Sequence, residues 1–253
     1  MKTAILKLKS FLSRAQQVYR EKGIRYCFQS AVKKASRKVR RYYESNLELY
    51  VYKLLMNRSF VFQARTYSYF YHKYNTTWKG ERAVEIPIVR EIMRSTSGRV
   101  LEVGNVLSHY FKVDHDVIDK YEKGEGVVNE DVVDFRPLGK YDLILSISTL
   151  EHVGWDEKPR ESGKILRAIR NLRDLLTPEG RLVVTLPLGY NPEMDGLLEE
   201  GRLGFSECFC LKRVSKNNEW KEVEWREICG SRYAYPFLGA NGLVIGIIDN
   251  TER

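Results

Sequence analysis

From about residue 81 the sequence alternates between helix-like and strand-like runs, and this alternation limits the fold more than any other feature. "ERAVEIPIVREIMRS" repeats apolar residues at helical spacing, placing Val84, Ile88 and Ile92 on one face with Val89 beside them. "PRESGKILRAIRNLRDLL" does the same with Ile165, Leu166, Ile169, Leu172 and Leu176, and "TPEG" then reads as a turn. Short apolar runs rich in Val, Ile and Leu lie around these helices: 99–103, 116–119, 126–129, 142–148 and 181–186. Strands alternating with helices in this way form a parallel sheet covered on both faces. The last runs, 209–214, 220–223 and 243–248, have no long helix between the later ones, which predicts antiparallel strands at one sheet edge. The expected fold class is therefore α/β: a doubly wound, mostly parallel seven-stranded sheet with an N-terminal helical arm.

The arm is set apart by charge. Of 42 Lys+Arg and 33 Asp+Glu, thirteen and three fall in residues 1–50, leaving 29 basic against 30 acidic in the rest. The net charge of +9 thus belongs to the arm, and a near-neutral body follows it. Ile5, Leu8, Leu12, Ala15 and Tyr19 form one apolar helical stripe, Gly23 interrupts it, and Ile24, Phe28, Ala31, Ala35 and Val39 form a second. The second stripe faces Lys33, Lys34, Arg37, Lys38, Arg40 and Arg41. Such a helix suits an anionic membrane surface, here through residues 1–45, or a hairpin packed on the body with its basic face in water. Nucleic acid is the weaker partner. The organisation expected is a basic amphipathic arm over 1–58, an aromatic linker or hairpin over 59–80 and a main domain over 81–253. In the linker, "SFVFQARTYSYFYHKYNTTW" alternates aromatics, which reads as a small aromatic core in preference to a stacking surface for sugars or bases.

No run approaches the length of a membrane span, and no secretory leader is apparent, so a cytoplasmic protein is expected, with peripheral attachment at the inner membrane face as an option. The cysteines Cys27, Cys208, Cys210 and Cys229 include no C-x-x-C pair, which predicts reduced thiols and no metal site.

Ligands of open parallel sheets bind beyond the carboxyl ends of the strands. The first such end reads "VLEVGNVLSHY", with Glu102 and Gly104, and the second ends at Asp119, seventeen residues after Glu102. This is near the offset at which an acid reaches a ribose, where a carboxylate accepts from both hydroxyls. The G-x-G-x-x-G pattern of a dinucleotide site is absent: after Gly104 come Asn105, Val106, Leu107 and Ser108. Asn105 tolerates positive φ and Val106 does not, so the loop is expected to bend around its ligand by another path.

Together "VLEVGN", "VIDKYEK", "NEDVVDF", "YDLILSISTLEHVG" and "LTPEGRLVVTLPLGYNP" resemble the class I S-adenosylmethionine-dependent methyltransferases over about residues 99–192. "YNTTWKGERAVEIPI", "LSISTLEHVGWDE" and "PLGYNP" look like a prokaryotic subgroup associated with surface-polysaccharide assembly. The resemblance implies S-adenosylmethionine as cofactor. Glu102, Gly104 and Asn105 would surround its methionine and ribose, Asp119 would take the ribose, and Asp131 the adenine amino group with Val132 beside the ring. Ser146 and Ser148 would lie near its amino-acid end.

Methyl transfer to an alcohol needs a proton acceptor as the oxygen attacks. His152 in "LEHVGWDE" is the first candidate, with Glu151 and Asp156 as rivals and His109 in the altered loop. Tyr190, Asn191 and Glu85 are expected substrate contacts, with Glu81 and Arg82 near the cofactor mouth. The expected activity is O-methylation of a sugar or glycan intermediate. Two alternatives stand beside it: an RNA methyltransferase, and a non-catalytic scaffold whose altered loop closes the pocket.

Overall fold

The computed structural model describes residue 36, residues 46–54 and residues 58–250. It divides into two compact units, Met1–Val51 and Tyr52–Arg253. In the first, residues 36 and 46–51 are described and are helical; the helical stripes expected at 5–39 lie, but for residue 36, outside the described residues. No helix among the described residues is long and apolar enough to cross a membrane.

The second unit opens with a hairpin, β1 (Ser59–Phe62) and β2 (Arg65–Ser68), closed by Gln63 and Ala64, both at positive φ. Helix α1 (Arg82–Ser95) follows. Then come β3 (Val100–Val103), β4 (Asp116–Ile118), β5 (Val127–Val128) and β6 (Tyr141–Ile147). Helix α2 (Lys164–Asp174) leads into β7 (Leu176–Pro187), and α3 (Pro192–Glu199) into β8 (Glu207–Arg213), β9 (Trp220–Val223) and β10 (Gly242–Asp249). The main sheet has eight strands in the order β5-β4-β3-β6-β7-β10-β8-β9. β5 to β7 are parallel; β10 runs antiparallel to β7 and β8, and β9 to β8. This is the doubly wound sheet expected from the alternation, with one strand more and its antiparallel strands at one edge.

Period-two alternation buries both faces. On β6, Leu143, Leu145 and Ile147 join one core while Ile144 joins the other; on β10, Leu243, Ile245 and Ile247 oppose Val244 and Ile248. One face is covered by α2 and α3. Ile165, Ala168, Ile169 and Leu172 recur at three- and four-residue spacing on α2, and each large side chain so buried contributes about 1.5–3 kcal/mol. The other face is covered by α1 and by Phe60, Phe62 and Tyr69 of the aromatic segment. These rings are core, in the same compact unit as the sheet. Pro87 lies inside α1 and cannot donate to the Ala83 carbonyl one turn back. The Phe70 amide donates to that oxygen instead, at 2.9 Å, and fastens the segment after β2 to the helix.

Two expectations are corrected. Leu176 does not continue α2; it begins β7, because it pairs with Tyr141 before the register shifts at "TPEG", so the expected turn is an irregularity within a strand. Nor do helices separate β3, β4, β5 and β6. Between β3 and β4 there is only a single 3-10 turn, Leu107–His109. The twelve residues available are rich in aromatic and β-branched side chains and lack helical periodicity. Leu107, Tyr110, Phe111 and Val113 cover that part of the sheet directly.

Candidate functional site

The helix-free connection after β3 determines how the site is built. Glu102 lies within β3, wholly buried, and its Oε1 accepts from the amides of Val106 and Leu107, both at 2.8 Å. Its other oxygen is 2.8 Å from His115 Nε2. Two amides converging on one oxygen could hold an anion. Here the chain's own carboxylate is that anion. Gly104 carries the turn at φ +89, its amide donating to the Ile118 carbonyl of β4 at 2.8 Å. A Cβ at Gly104 would overlap the side chain of Thr149, so the position is closed to other residues by both conformation and space. Asn105 and Val106 stay out of the left-handed region: Gly104 alone takes the conformation that the missing glycines would have shared.

Asp119 fixes the loop from the other side. Its carboxylate accepts from the amides of Asn105 (3.0 Å), Tyr121 (2.8 Å) and Glu122 (2.7 Å). Glu122 in turn accepts from the Asn105 side chain at 2.9 Å and lies 2.8 Å from His109 Nε2, and Ser108 bonds Asn105. The His109 ring stacks on Tyr74 at 4.1 Å.

Beyond the carboxyl ends of β3, β4 and β6 this framework leaves a cavity of about 330 Å³. Val103, Ile118, Val132 and Val153 supply apolar wall, and Asp119, Glu122, Glu130, Asp131 and Glu157 supply carboxylates against one lysine, Lys120. Asp131 and Glu157 belong to a four-charge cluster. Lys164, 4% exposed in the first turn of α2, reaches Asp131 Oδ2 at 2.6 Å and Glu157 Oε2 at 2.7 Å; Lys120 reaches the same two groups at 2.7 and 3.0 Å. Burial alone would raise the Asp131 carboxyl, but the two lysines outweigh it and hold it at about 2. Glu157 is lowered by the same balance.

His152 lines this cavity and begins a second group of side chains. Its Nδ1 lies 2.6 Å from Asp156 Oδ2, which also accepts from the Tyr190 hydroxyl at 2.6 Å. Burial would raise Asp156; the hydrogen bonds from Tyr190 and His152 override it and keep the carboxyl below its usual range. An ionised Asp156 accepts from Nδ1–H and so orients the ring, with Nε2 on the side away from Asp156. The Tyr190 ring meets His152 edge-on at 4.7 Å and Tyr233 at 5.2 Å. Glu151, 1% exposed, has Oε1 3.6 Å from His152 Nε2 and an Oε2 without a hydrogen-bond partner among the described residues. Burial, reinforced by Glu85 and Glu81, pushes Glu151 well above the ordinary carboxylate range despite Arg82.

The remaining candidate residues serve the scaffold around this site. Glu85 is fully buried; it pairs with Arg82 at 2.5 Å and accepts from the hydroxyls of Ser148 and Thr185, each at 2.5 Å. Ser148 holds positive φ there, its amide bonded to Thr185. Ser146 is buried in the sheet, its hydroxyl without a partner among the described residues. Asn191 caps α3 by accepting from Glu193 and Met194 and donates to the Glu151 carbonyl at 2.8 Å, so its place is behind the site. Cys208 and Cys210 are free thiols on β8.

Lys120, Glu122, Thr149, Glu157 and Lys164 were not singled out from the sequence. Lys164 had a readable signal: a lysine in a helix's first turn opposes the helix dipole, which marks it for a specific partner. Glu122, three residues past the strand-end acid, had none.

No family model matches the sequence, and no curated protein matches it. Solved structures resemble it in outline. An N-methyltransferase, NodS from Bradyrhizobium japonicum WM9 in complex with S-adenosyl-L-homocysteine, shares 14% identity over 68% of this chain and 88% of its own, with a TM-score of 0.44. A SAM-dependent methyltransferase from Archaeoglobus fulgidus shares 14% over 70% and 97%, with a TM-score of 0.43. Burkholderia thailandensis 1,6-didemethyltoxoflavin-N1-methyltransferase shares 16% over 65% and 76%, with a TM-score of 0.40.

Proposed function

We propose that this chain is an S-adenosylmethionine-dependent methyltransferase that O-methylates a sugar or glycan intermediate. The observation that carries the reading is the character of the cavity: an apolar slot rimmed by five carboxylates, of which Asp131 and Glu157 are paired with Lys120 and Lys164, opening on the His152–Asp156 pair. A pyrophosphate-bearing cofactor finds no free amide nest here, because Glu102 and Asp119 occupy the loop amides, and it meets a negative rim. A cationic sulfonium nucleoside suits the same surroundings, its ring against Ile118, Val132 and Val153. That cofactor supplies a methyl group on a positively charged sulfur, open to in-line displacement.

Asp119 is engaged by three amides, so Glu122, which lines the cavity and is anchored by Asn105, is the carboxylate placed to accept from ribose hydroxyls. Asp156 orients His152, and His152 Nε2 takes the proton of the attacking hydroxyl. Positioning of the two reactants contributes the rest. The acidic rim speaks against RNA as acceptor, since its carboxylates outnumber the two lysines paired with them and a polyanion would meet a net negative surface. The open cavity speaks against the scaffold reading, which requires the altered loop to close it. The glycan assignment, the cytoplasmic location and a membrane contact through residues 1–45 rest on the sequence resemblance and the basic arm.

Calorimetric titration with S-adenosylmethionine and with NAD tests the cofactor directly. Binding of the first alone is expected, weakened about tenfold or more in Glu122→Ala by loss of hydrogen bonds to a charged group. Absence of S-adenosylmethionine binding by the purified wild type overturns the reading. Transfer of a labelled methyl from S-adenosylmethionine to simple hexosides, abolished in His152→Ala, tests the acceptor class.

A further inference from the structure

A second cavity, about 400 Å³, lies away from this site, between β2 and α1. The hairpin register defines one wall. The two-residue turn makes Phe62 and Arg65 a hydrogen-bonded pair, as are Phe60 and Tyr67 two residues on. By that alternation the backbone groups of Arg65 and Tyr67 face β1, and those of Thr66 and Ser68 face away from it. The same parity continues past the strand: the Tyr69 amide bonds the Arg58 carbonyl on the inner side, and the Phe70 amide bonds Ala83 on the outer side. Phe70 is therefore satisfied by the oxygen that Pro87 leaves free. Thr66 and Ser68, both exposed, have no backbone partner among the described residues. They form a short open strand edge lining the groove.

The opposite wall comes from α1 and is basic. Arg90 and Arg94 project from it, and Arg65 enters from the strand, against a single acid, Glu91. Glu91 is shared between Arg65 at 3.3 Å and Arg94 at 3.6 Å, and Arg90 lies over the Phe111 ring at 4.0 Å. Three guanidinium groups against one carboxylate leave the groove with an excess of two positive charges. An open edge demands an extended backbone, and the charge selects its side chains.

We propose that this groove is a docking site for an acidic, extended peptide segment of a partner protein, which adds as a strand to β2 at Thr66 and Ser68 while its carboxylates pair with Arg65, Arg90 and Arg94. The basic N-terminal arm of a second copy is the wrong sign for this surface. The groove lies apart from the proposed methyl-transfer site, and its use is independent of that reading.

The probe is a fluorescein-labelled, capped octapeptide of alternating glutamate and valine, with the lysine–valine counterpart as control, read by fluorescence anisotropy and by amide hydrogen exchange on the full chain. The acidic peptide is expected to bind and to slow exchange at the Thr66 and Ser68 amides, and the lysine peptide to do neither. Reversal of two exposed charges in Arg90→Glu/Arg94→Glu is expected to weaken binding about tenfold or more. Thr66→Pro, which removes one outward donor from an edge strand that tolerates proline, is expected to weaken it with S-adenosylmethionine titration unchanged. Failure of the acidic peptide to bind at millimolar concentration overturns the proposal. So does binding that leaves Thr66 and Ser68 exchange unaltered, or binding equal for both peptides.

Discussion

The two ends of the main cavity treat their polar groups in opposite ways. Over β3 and β4 each key carboxylate is saturated: Glu102 by two amides and a histidine, Asp119 by three amides, Asp131 and Glu157 by two lysines. Over β6 and β7 the balance is left incomplete. Among the described residues, Glu151 is buried with one oxygen unpartnered, and His152 Nε2 lies 3.6 Å from Glu151 Oε1. A saturated network stabilises one conformation, whereas an incomplete one costs stability and retains capacity to bond a ligand. The first end has the properties of a rigid cradle and the second those of a reactive face.

Lys164→Met tests the cradle most severely. Removing a buried cation from two carboxylates is expected to cost about 3–5 kcal/mol in denaturant unfolding. It should also alter the acid limb. Asp131 sits at about 2 when folded against 3.8 when free, so its contribution is present above pH 3.8 and is lost as pH falls toward 2. The variant should lose stability at neutral pH and show a shallower further loss over that acid window. Gly104→Ala comes next, at about 2–4 kcal/mol from strained φ and overlap with Thr149, with cofactor binding lost alongside. Glu102→Gln keeps one acceptor but loses charge-assisted bonds to the loop, about 1–3 kcal/mol, measured by thermal unfolding. The smallest effect has the opposite sign. Glu151→Gln removes a buried carboxyl whose charged form is disfavoured, and a gain of about 0.5–1.5 kcal/mol at neutral pH is expected. A loss there comparable to Glu102→Gln would break the distinction between the two ends.

The sequence made the sheet readable because β6, β7 and β10 alternate faces residue by residue, and because α2 carries an uninterrupted apolar stripe. The missing helical periodicity after β3 was a local signal that the alternating pattern overrode, whereas nothing local distinguishes a loop held by a strand side chain from one held by glycine. Strand-end positions bring Asp119, Asp131 and His152 to one cavity. Their partners were not readable: Glu157 and Lys164 meet Asp131 from a loop and a helix whose approach is set by tertiary packing. Asn191 and Glu85 looked like ligand contacts by position. The first proved to be a helix cap, and the second the anchor of Ser148 and Thr185, because buried polar groups take the nearest partner the fold supplies.

Glu102 also bears on how chains of this kind are recognised. A search keyed to glycine spacing passes over a loop whose shape is set by a buried acid. The pattern that describes this construction is different: a strand-terminal glutamate, glycine two positions later and a histidine thirteen positions after the glutamate, closing on it from the next strand's approach. Sequences that share those three positions should share the cradle, whatever fills the four residues after the glycine.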